Sequence, residues 1–423
     1  MTLQVKRIVA HFVCITGVIT FGAVTVFGQT GVSNARSAAM GGAYSAIANG
    51  VEAPLWNPAN LGIRAKAKYR LNLFSFGLGV QNNSFSKTHY NKFNGALFSA
   101  NDKKEILNLI PEEGLTLDLN GEVQALGISI DQFAFTTTGI VSSNLSIPDD
   151  LFDLLLNGNQ FDKSYDLSGA KGEGIGYAST ALSAGIPITL ERFKEFSIGV
   201  SGKYLQGFSY AKVVQATSSL ETNIDGIHSS GQLALKRAES GDGFGIDLGV
   251  AAKVDKNTTL NFSVINLFSN INWDGSPERF TYTFGLDSLT VQKASEDGLD
   301  SLFADKEETV DIKSFSTSLP GQIHLGAARK YKKLLLGFTY TQGLRNGAGV
   351  STTPRLAFGT EYRPIGFFPL RAGFAMGGGQ SLSSSLGFAF DFALFSWDFA
   401  LVSRSGMFAG KGISLAFGWM FRF

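Results

Sequence analysis

Along the C-terminal half of the chain, a large apolar side chain recurs at every second position with a small or polar one between. Ile413, Leu415, Phe417, Trp419, Phe421 and Phe423 alternate with Ser414, Ala416, Gly418, Met420 and Arg422. Leu386, Phe388, Phe390 and Phe392 alternate with Gly387, Ala389 and Asp391, and Phe244, Ile246, Leu248 and Val250 with Gly245, Asp247 and Gly249. Leu334, Leu336, Phe338 and Tyr340 repeat the pattern, as do Leu356, Phe358 and Tyr362. Successive side chains of a strand point to opposite faces, so a period of two marks a strand with one apolar face. A water-soluble sandwich buries its large residues and clothes its outer face with charge. Here the second face is mostly Gly, Ala and Ser, which suits a barrel whose large side chains meet lipid while small and polar ones line the interior. Backbone groups in lipid find no water to pair with, so such a sheet must close on itself.

Composition agrees with that reading. Glycine accounts for 50 of 423 residues and phenylalanine for 36, while charged residues make up 17% and the net charge is +1. Collagen would need glycine at every third position, a disordered chain would have few aromatics, and a disulfide scaffold needs more than one cysteine. Near-neutral charge argues against nucleic acid as a partner. The uncharged stretch Ala372–Phe390 is broken by glycines and serines, so it does not read as a membrane-spanning helix.

Residues 1–28 read as a secretory signal. Lys6 and Arg7 open it, an apolar run follows to Phe27, and Gly28 places cleavage before Gln29. An uncleaved membrane anchor is the alternative. Cys14 lies inside the apolar run rather than at its end, which argues against lipidation, and the mature chain then has no cysteine.

The remainder is read as fourteen strands, near 68–80, 122–131, 132–143, 173–187, 194–208, 243–254, 257–267, 320–331, 332–342, 353–363, 367–376, 380–391, 395–403 and 411–423. Short connections alternate with longer ones, the longest being 81–121, 144–172, 209–242 and 268–319. An even count with short turns at one end and long loops at the other is the pattern of bacterial membrane barrels. The segment Phe280–Leu289 is strand-like and is treated as a loop hairpin or an extension beyond the bilayer; if it spans, the count fails.

Before the first strand, residues 29–66 have a different texture. Ala35-Arg36-Ser37-Ala38-Ala39-Met40-Gly41-Gly42-Ala43-Tyr44 is rich in small residues, and Trp56-Asn57-Pro58-Ala59 follows. Glycine permits close backbone packing, and Asn-Pro favours a rigid turn. With these motifs the chain resembles the FadL-type outer membrane protein transport family, including its PorV-like members. The resemblance implies an all-β fold: a closed antiparallel transmembrane barrel of about 14 strands with the N-terminal segment as a hatch inside the lumen. It divides the chain into signal 1–28, hatch 29–66 and barrel 67–423. Gly41, Gly42, Ala43, Asn57, Pro58 and Ala59 would form the hatch motif, holding the plug in shape or gating passage. The alternating C-terminal strand, with Phe417, Trp419, Phe421 and Phe423, resembles the signal read by the outer-membrane barrel-assembly machinery.

Catalysis finds little support. The four histidines are far apart, and neither a Gly-x-Ser-x-Gly elbow nor a phosphate-binding loop is present. No enzyme activity, cofactor or metal is expected. If the apolar faces meet lipid, Arg355, Glu361, Arg371, Asp391 and Asp398 point inward from neighbouring strands, where they would pair with one another and anchor the plug, because unpaired buried charge is costly. Two loop segments look helical, Asp102–Ile110 and Asp149–Leu156, the second capped by Asp149 or Asp150. Its Leu151, Phe152, Leu154 and Leu155 would either dock an apolar ligand or pack on the neighbouring loop. The expected function, by resemblance, is passive transport of hydrophobic, long-chain fatty acid-like molecules across the outer membrane of a Gram-negative-type bacterium. A non-transporting PorV-like partner of a secretion system, or a purely structural barrel, is the alternative. Outer membrane lipid, the assembly machinery and a hydrophobic small molecule are the expected partners.

Overall fold

The computed structural model describes residues 34–65, 67–290, 303–407 and 410–423; the signal reading for 1–28 lies outside them. The strands are β1 (Tyr69–Asn82), β2 (Leu115–Ile130), β3 (Phe133–Ile147), β4 (Ser164–Asp166), β5 (Lys171–Ile188), β6 (Glu195–Asn223), β7 (Gly226–Ala238), β8 (Ser240–Lys253), β9 (Thr258–Gly275) and β10 (Glu278–Leu289). They continue with β11 (Phe303–Asp311), β12 (Phe315–Ser318), β13 (Gln322–Tyr331), β14 (Leu334–Gly343), β15 (Arg355–Ile365), β16 (Phe368–Gly377), β17 (Gln380–Asp391), β18 (Phe395–Arg404) and β19 (Gly412–Arg422).

Fourteen of these form a closed antiparallel ring in the order β1-β2-β3-β5-β6-β8-β9-β13-β14-β15-β16-β17-β18-β19. The last strand returns to the first, with Phe417 opposite Phe76 and Leu415 opposite Leu78. Each strand expected from the alternation corresponds to one ring strand. Closure leaves no unpaired edge in the wall, as an apolar solvent requires.

The outer surface carries the large side chains. Leu386, Leu401 and Leu415 are exposed, whereas their inward neighbours Ser385, Ala400 and Ala416 are buried. Register turns the phenylalanines into ladders around the wall: Phe76, Phe417, Phe399 and Phe388 follow one another at ring separations of 5.9, 5.2 and 5.1 Å. Phe338, Phe358 and Phe374 do the same at 5.0 and 5.2 Å. Such a band sheds water only if lipid covers it, so this is a membrane barrel. Among the described residues no helix is long and apolar enough to cross a membrane.

The two ends of the barrel differ. Short turns join β2 to β3, β8 to β9 and β13 to β14 at one end, where the chain also terminates. At the other end, segments expected as loops are themselves strands. β6 has 29 residues, about 95 Å at ~3.3 Å per residue, far more than the roughly 9–11 residues a bilayer needs. Its distal part pairs with β7, β7 pairs with β10, and β10 with β11. Phe280–Leu289 thus belongs to a sheet projecting beyond the barrel and does not add to the ring. Among the described residues four α-helices accompany the strands: α1 (Ala35–Ala39), α2 (Lys87–Phe93), α3 (Ala100–Leu109) and α4 (Asp149–Asn157). The residue before α4 is Pro148 with no side-chain cap; Asp149 and Asp150 lie in its first turn, and Asp150 instead accepts from the Asp166 N–H at 2.7 Å. The expected acidic cap is therefore not formed, because the carboxylate is committed to a neighbouring strand.

Candidate functional site

The site is the barrel interior, and its largest occupant is the N-terminal segment. Residues 34–62 fold as α1, a turn through Gly41 and Gly42, and two short 3₁₀ helices, Gly50–Leu55 and Pro58–Gly62. Both turn glycines have positive φ, +67° and +83°, which disfavours a side chain there. The fold is held by its own polar groups: Asn60 Nδ2 donates to the carbonyls of Ser45 and Ala48 at 2.7 and 2.9 Å. Met40, Tyr44, Ala48 and Trp56 form its apolar centre.

A belt of inward-facing glycines seats this hatch. A Cβ on Gly185 of β5, Gly199 of β6, Gly249 of β8, Gly359 of β15 or Gly373 of β16 would lie 2.0–2.4 Å from a hatch atom. The belt runs in register in two stretches: Gly185 faces Gly199 and Gly199 faces Gly249 on one side, and Gly359 faces Gly373 on the other. At four of these glycines wall backbone packs on hatch backbone, and at Gly249 it packs on the Asn57 amide, an approach only glycine allows.

Asn57 shows what the Asn-Pro motif does here. Its Oδ1 accepts from the Ala59 N–H at 2.9 Å, starting the second 3₁₀ helix, while Nδ2 donates to the Val250 and Phe262 carbonyls at 3.0 and 3.2 Å. Val250 and Phe262 are register partners across β8 and β9, so one buried amide ties the hatch to two wall strands. Ser263 Oγ adds a bond to the Trp56 carbonyl at 2.6 Å.

On the short-turn side, charge fastens the hatch. Glu361 of β15 accepts from three arginines: Arg36 of α1 through Nε and Nη2 at 2.7 and 3.2 Å, Arg371 Nε at 2.8 Å and Arg363 Nε at 2.9 Å. Arg371 also bonds Asp398, while Arg363 and Arg422 both bond Asp391. Four of the five charges singled out from sequence, Glu361, Arg371, Asp391 and Asp398, thus meet in one network. Sequence reasoning missed Arg36 and Arg363, which complete it. Arg355 stands apart, with Nη2 donating to the Gly41 carbonyl at 2.8 Å. A separate buried pair, Lys203 and Asp247 at 2.7 Å, braces the β9 bulge at Asn266, whose N–H donates to the same carboxylate oxygen.

Toward the long-loop end the interior changes character. Ile175, Tyr177, Leu205, Ile271, Trp273 and Leu319 form a buried apolar cluster inside the ring. Gly207 makes room for it, since a Cβ there would lie 2.6 Å from the Trp273 ring. Trp273 Nε1 is satisfied by Thr317 Oγ1 at 2.8 Å. Between this end and the hatch lies a cavity of about 100 Å³ with Gly41, Gly42 and Trp56 on its hatch side and His324, Arg355 and Arg404 on its walls.

The leucine-rich helix α4 sits outside the ring. Leu151 and Leu154 are buried against Leu167, Tyr165 and Leu220, whereas Phe152 is half-buried and Leu155 exposed. Two of the four residues considered for docking are thus consumed by the helix's own packing. Lys163 bonds Asp153 of the same helix. Burial alone would raise the Asp153 carboxyl, but the hydrogen bonds from Lys163 and Asn157 outweigh it and hold the group below its ordinary range. At the chain end, Phe417, Trp419 and Phe421 lie on the outward face of β19, with the exposed Phe423 following the strand.

A lipid-facing ring, a glycine-seated hatch and an ion-paired lumen define a plugged membrane β-barrel. The chain belongs to the family of unknown function DUF5723, whose profile matches residues 58–400. No curated protein matches it. Among solved structures it is similar to the Pseudomonas putida toluene transporter TodX, at 11% identity and a TM-score of 0.53, covering 94% of this chain and 99% of that one. The Ralstonia pickettii toluene transporter TbuX matches at 14% identity and 0.51, covering 94% and 99%. The CymD monoaromatic hydrocarbon channel matches at 12% and 0.54, with the same coverage. At such identities the likeness speaks for the fold alone, and that fold is the closed antiparallel barrel of fourteen strands expected from the sequence.

Proposed function

We propose that this barrel is a passive route for hydrophobic small molecules across the outer membrane, with the long-loop end outside and residues 29–66 acting as its hatch. The observation that carries the reading is the apolar cluster around Trp273. A water-filled pore has a polar interior, so an interior lined by Ile175, Leu205, Ile271 and Leu319 favours apolar cargo. TodX and TbuX are toluene transporters and CymD is a monoaromatic hydrocarbon channel, which supports compact aromatics as cargo alongside fatty acid-like chains. Export by residues 1–28, and recognition of Phe417, Trp419, Phe421 and Phe423 by the assembly machinery, complete the proposal. Neither a cofactor nor an energy source is required.

The test is uptake of labelled toluene and labelled oleate by cells lacking the gene, with and without complementation. Slower uptake of either compound, restored by the wild-type chain but not by Leu205→Glu, supports the reading. Unchanged uptake of both overturns it. One observation favours a second reading, a barrel that carries no cargo and serves a secretion or surface-attachment partner: the hatch is locked to the wall by sterics and by charge. Unchanged uptake with a stable co-purifying surface protein would select that alternative.

A further inference from the structure

The cavity of about 100 Å³ above the hatch is lined by two cations that form no ion pair with any described residue. Arg404, only 4% exposed, donates through Nε to Ser414 Oγ, and Arg355 donates through Nη2 to the Gly41 carbonyl. Neither takes part in an ion pair among the described residues, and no other nitrogen of either guanidinium has an acceptor there. None of these free N–H groups is sealed from the cavity, unlike Arg70 Nε and Arg422 Nε elsewhere in the lumen. Asp118, the carboxylate that acts on Arg404 through space, forms no ion pair with it and is instead bonded by Asn144 Nδ2 at 2.6 Å. A buried cation without a counter-charge is costly, and two of them converging on one space multiply the penalty. This contrasts with the short-turn side, where every arginine of the Glu361 network has a carboxylate.

The rest of the lining says what kind of anion fits. Trp56 and Val350 supply apolar surface, and Thr341 is bonded to His324 Nδ1 at 3.1 Å. At about 100 Å³ the space is smaller than the ~150 Å³ cavity that admits benzene. It takes a charged group with a few carbons and excludes a whole long chain. We infer that this cavity is a binding site for the carboxylate group of a small organic acid, held between Arg355 and Arg404 on the outer side of the hatch. Planar guanidinium groups match the two oxygens of a carboxylate. The inference stands apart from transport, since it concerns occupancy of the closed barrel.

The test is calorimetric titration of the full chain in a non-ionic detergent with butyrate, with butanol as the uncharged control and with inorganic phosphate as the alternative oxyanion. Saturable butyrate binding, no butanol binding, and at least a tenfold loss of affinity in Arg404→Gln and in Arg355→Gln are expected. Ser351→Trp narrows the cavity from the loop side without touching either arginine, so it should also abolish binding should the arginine variants fail to fold. Butyrate binding unchanged in that variant or in either arginine variant, equal binding of butanol, or binding of phosphate alone would each overturn the assignment.

Discussion

Replacing Glu361 with glutamine should loosen the hatch more than any other single change in the ion network. The carboxylate is 3% exposed and serves Arg36, Arg363 and Arg371 at once. Arg371 retains Asp398 and Arg363 retains Asp391, but Arg36 has no second carboxylate, and it is the hatch's link to this network. Removing one member of a buried ion pair typically costs ~3–5 kcal/mol because the remaining charge is stranded. Arg36 is one-fifth exposed, so water recovers part of that, and about 3 kcal/mol is the reasonable expectation for hatch seating. At ~1.4 kcal/mol per tenfold, this shifts the hatch equilibrium by roughly 100-fold. The reverse substitution, Arg36→Gln, leaves Glu361 with two arginines and should cost about half as much. Only one cysteine occurs in the whole sequence, at position 14, so Ala38→Cys offers a specific label at the cavity-facing side of the hatch. Maleimide labelling of folded barrels should accelerate strongly in Glu361→Gln and modestly in Arg36→Gln. Equal rates in both variants and the parent, with an unchanged melting temperature, would refute the claim that this carboxylate locks the hatch.

Two further substitutions probe the faces of the strands. Gly199→Val drives a side chain to 2.1 Å from the Ala59 nitrogen, whereas a Cβ on Gly202 of the same strand meets nothing within 4 Å; protease resistance of the hatch should fall in the first and persist in Gly202→Ala, and equal resistance would argue against the glycine belt. Phe388→Arg places a cation on the lipid face at a cost of ~2–4 kcal/mol near the bilayer midplane, so the heat-modifiable folded band should weaken or vanish on electrophoresis, while a normal band would mean that this face does not meet lipid.

The ring was legible because lipid imposes the same demand on every strand. Outward positions must be apolar, and the interior alternates with them, so each of the fourteen strands announces itself within its own dozen residues. What lies beyond the bilayer is under no such rule. The distal part of β6, together with β7 and β11, reads as long loop, and Phe280–Leu289 reads as a strand without a partner, because nothing in a barrel argument limits or predicts strands in water. The charge network was legible only on the strands. Arg36 and Glu361 are 325 positions apart, and no local pattern connects them. Alternation places Arg355 with Glu361, both inward on β15, yet six residues along a strand span ~20 Å. That distance carries Arg355 from the ion network to the opposite side of the hatch. For α4, the leucines are visible in the sequence but their cover is not, since Tyr165 and Leu220 come from strands beyond the barrel that lack the lipid-facing alternation.

The two faces of these strands constrain each other more tightly than either does alone. A shift of one residue in pairing exchanges the faces of a strand. In most barrels such a slip is penalised on the lipid side, where small residues would replace large ones. Here the inner side objects as well. On β16, a Cβ on Gly373 would lie 2.2 Å from the Met40 carbonyl carbon, and the next residue, Phe374, points outward to stack on Phe358 at 5.2 Å. A slipped β16 would drive a phenyl ring into hatch backbone and leave a glycine facing lipid. The same argument holds at Gly359 beside Phe358 and at Gly387 beside Phe388, on the strands that flank it. The hatch therefore acts as a template for register as well as a plug. On these strands glycine and phenylalanine answer one requirement together: no side chain toward the hatch and a large one toward the membrane, one residue apart.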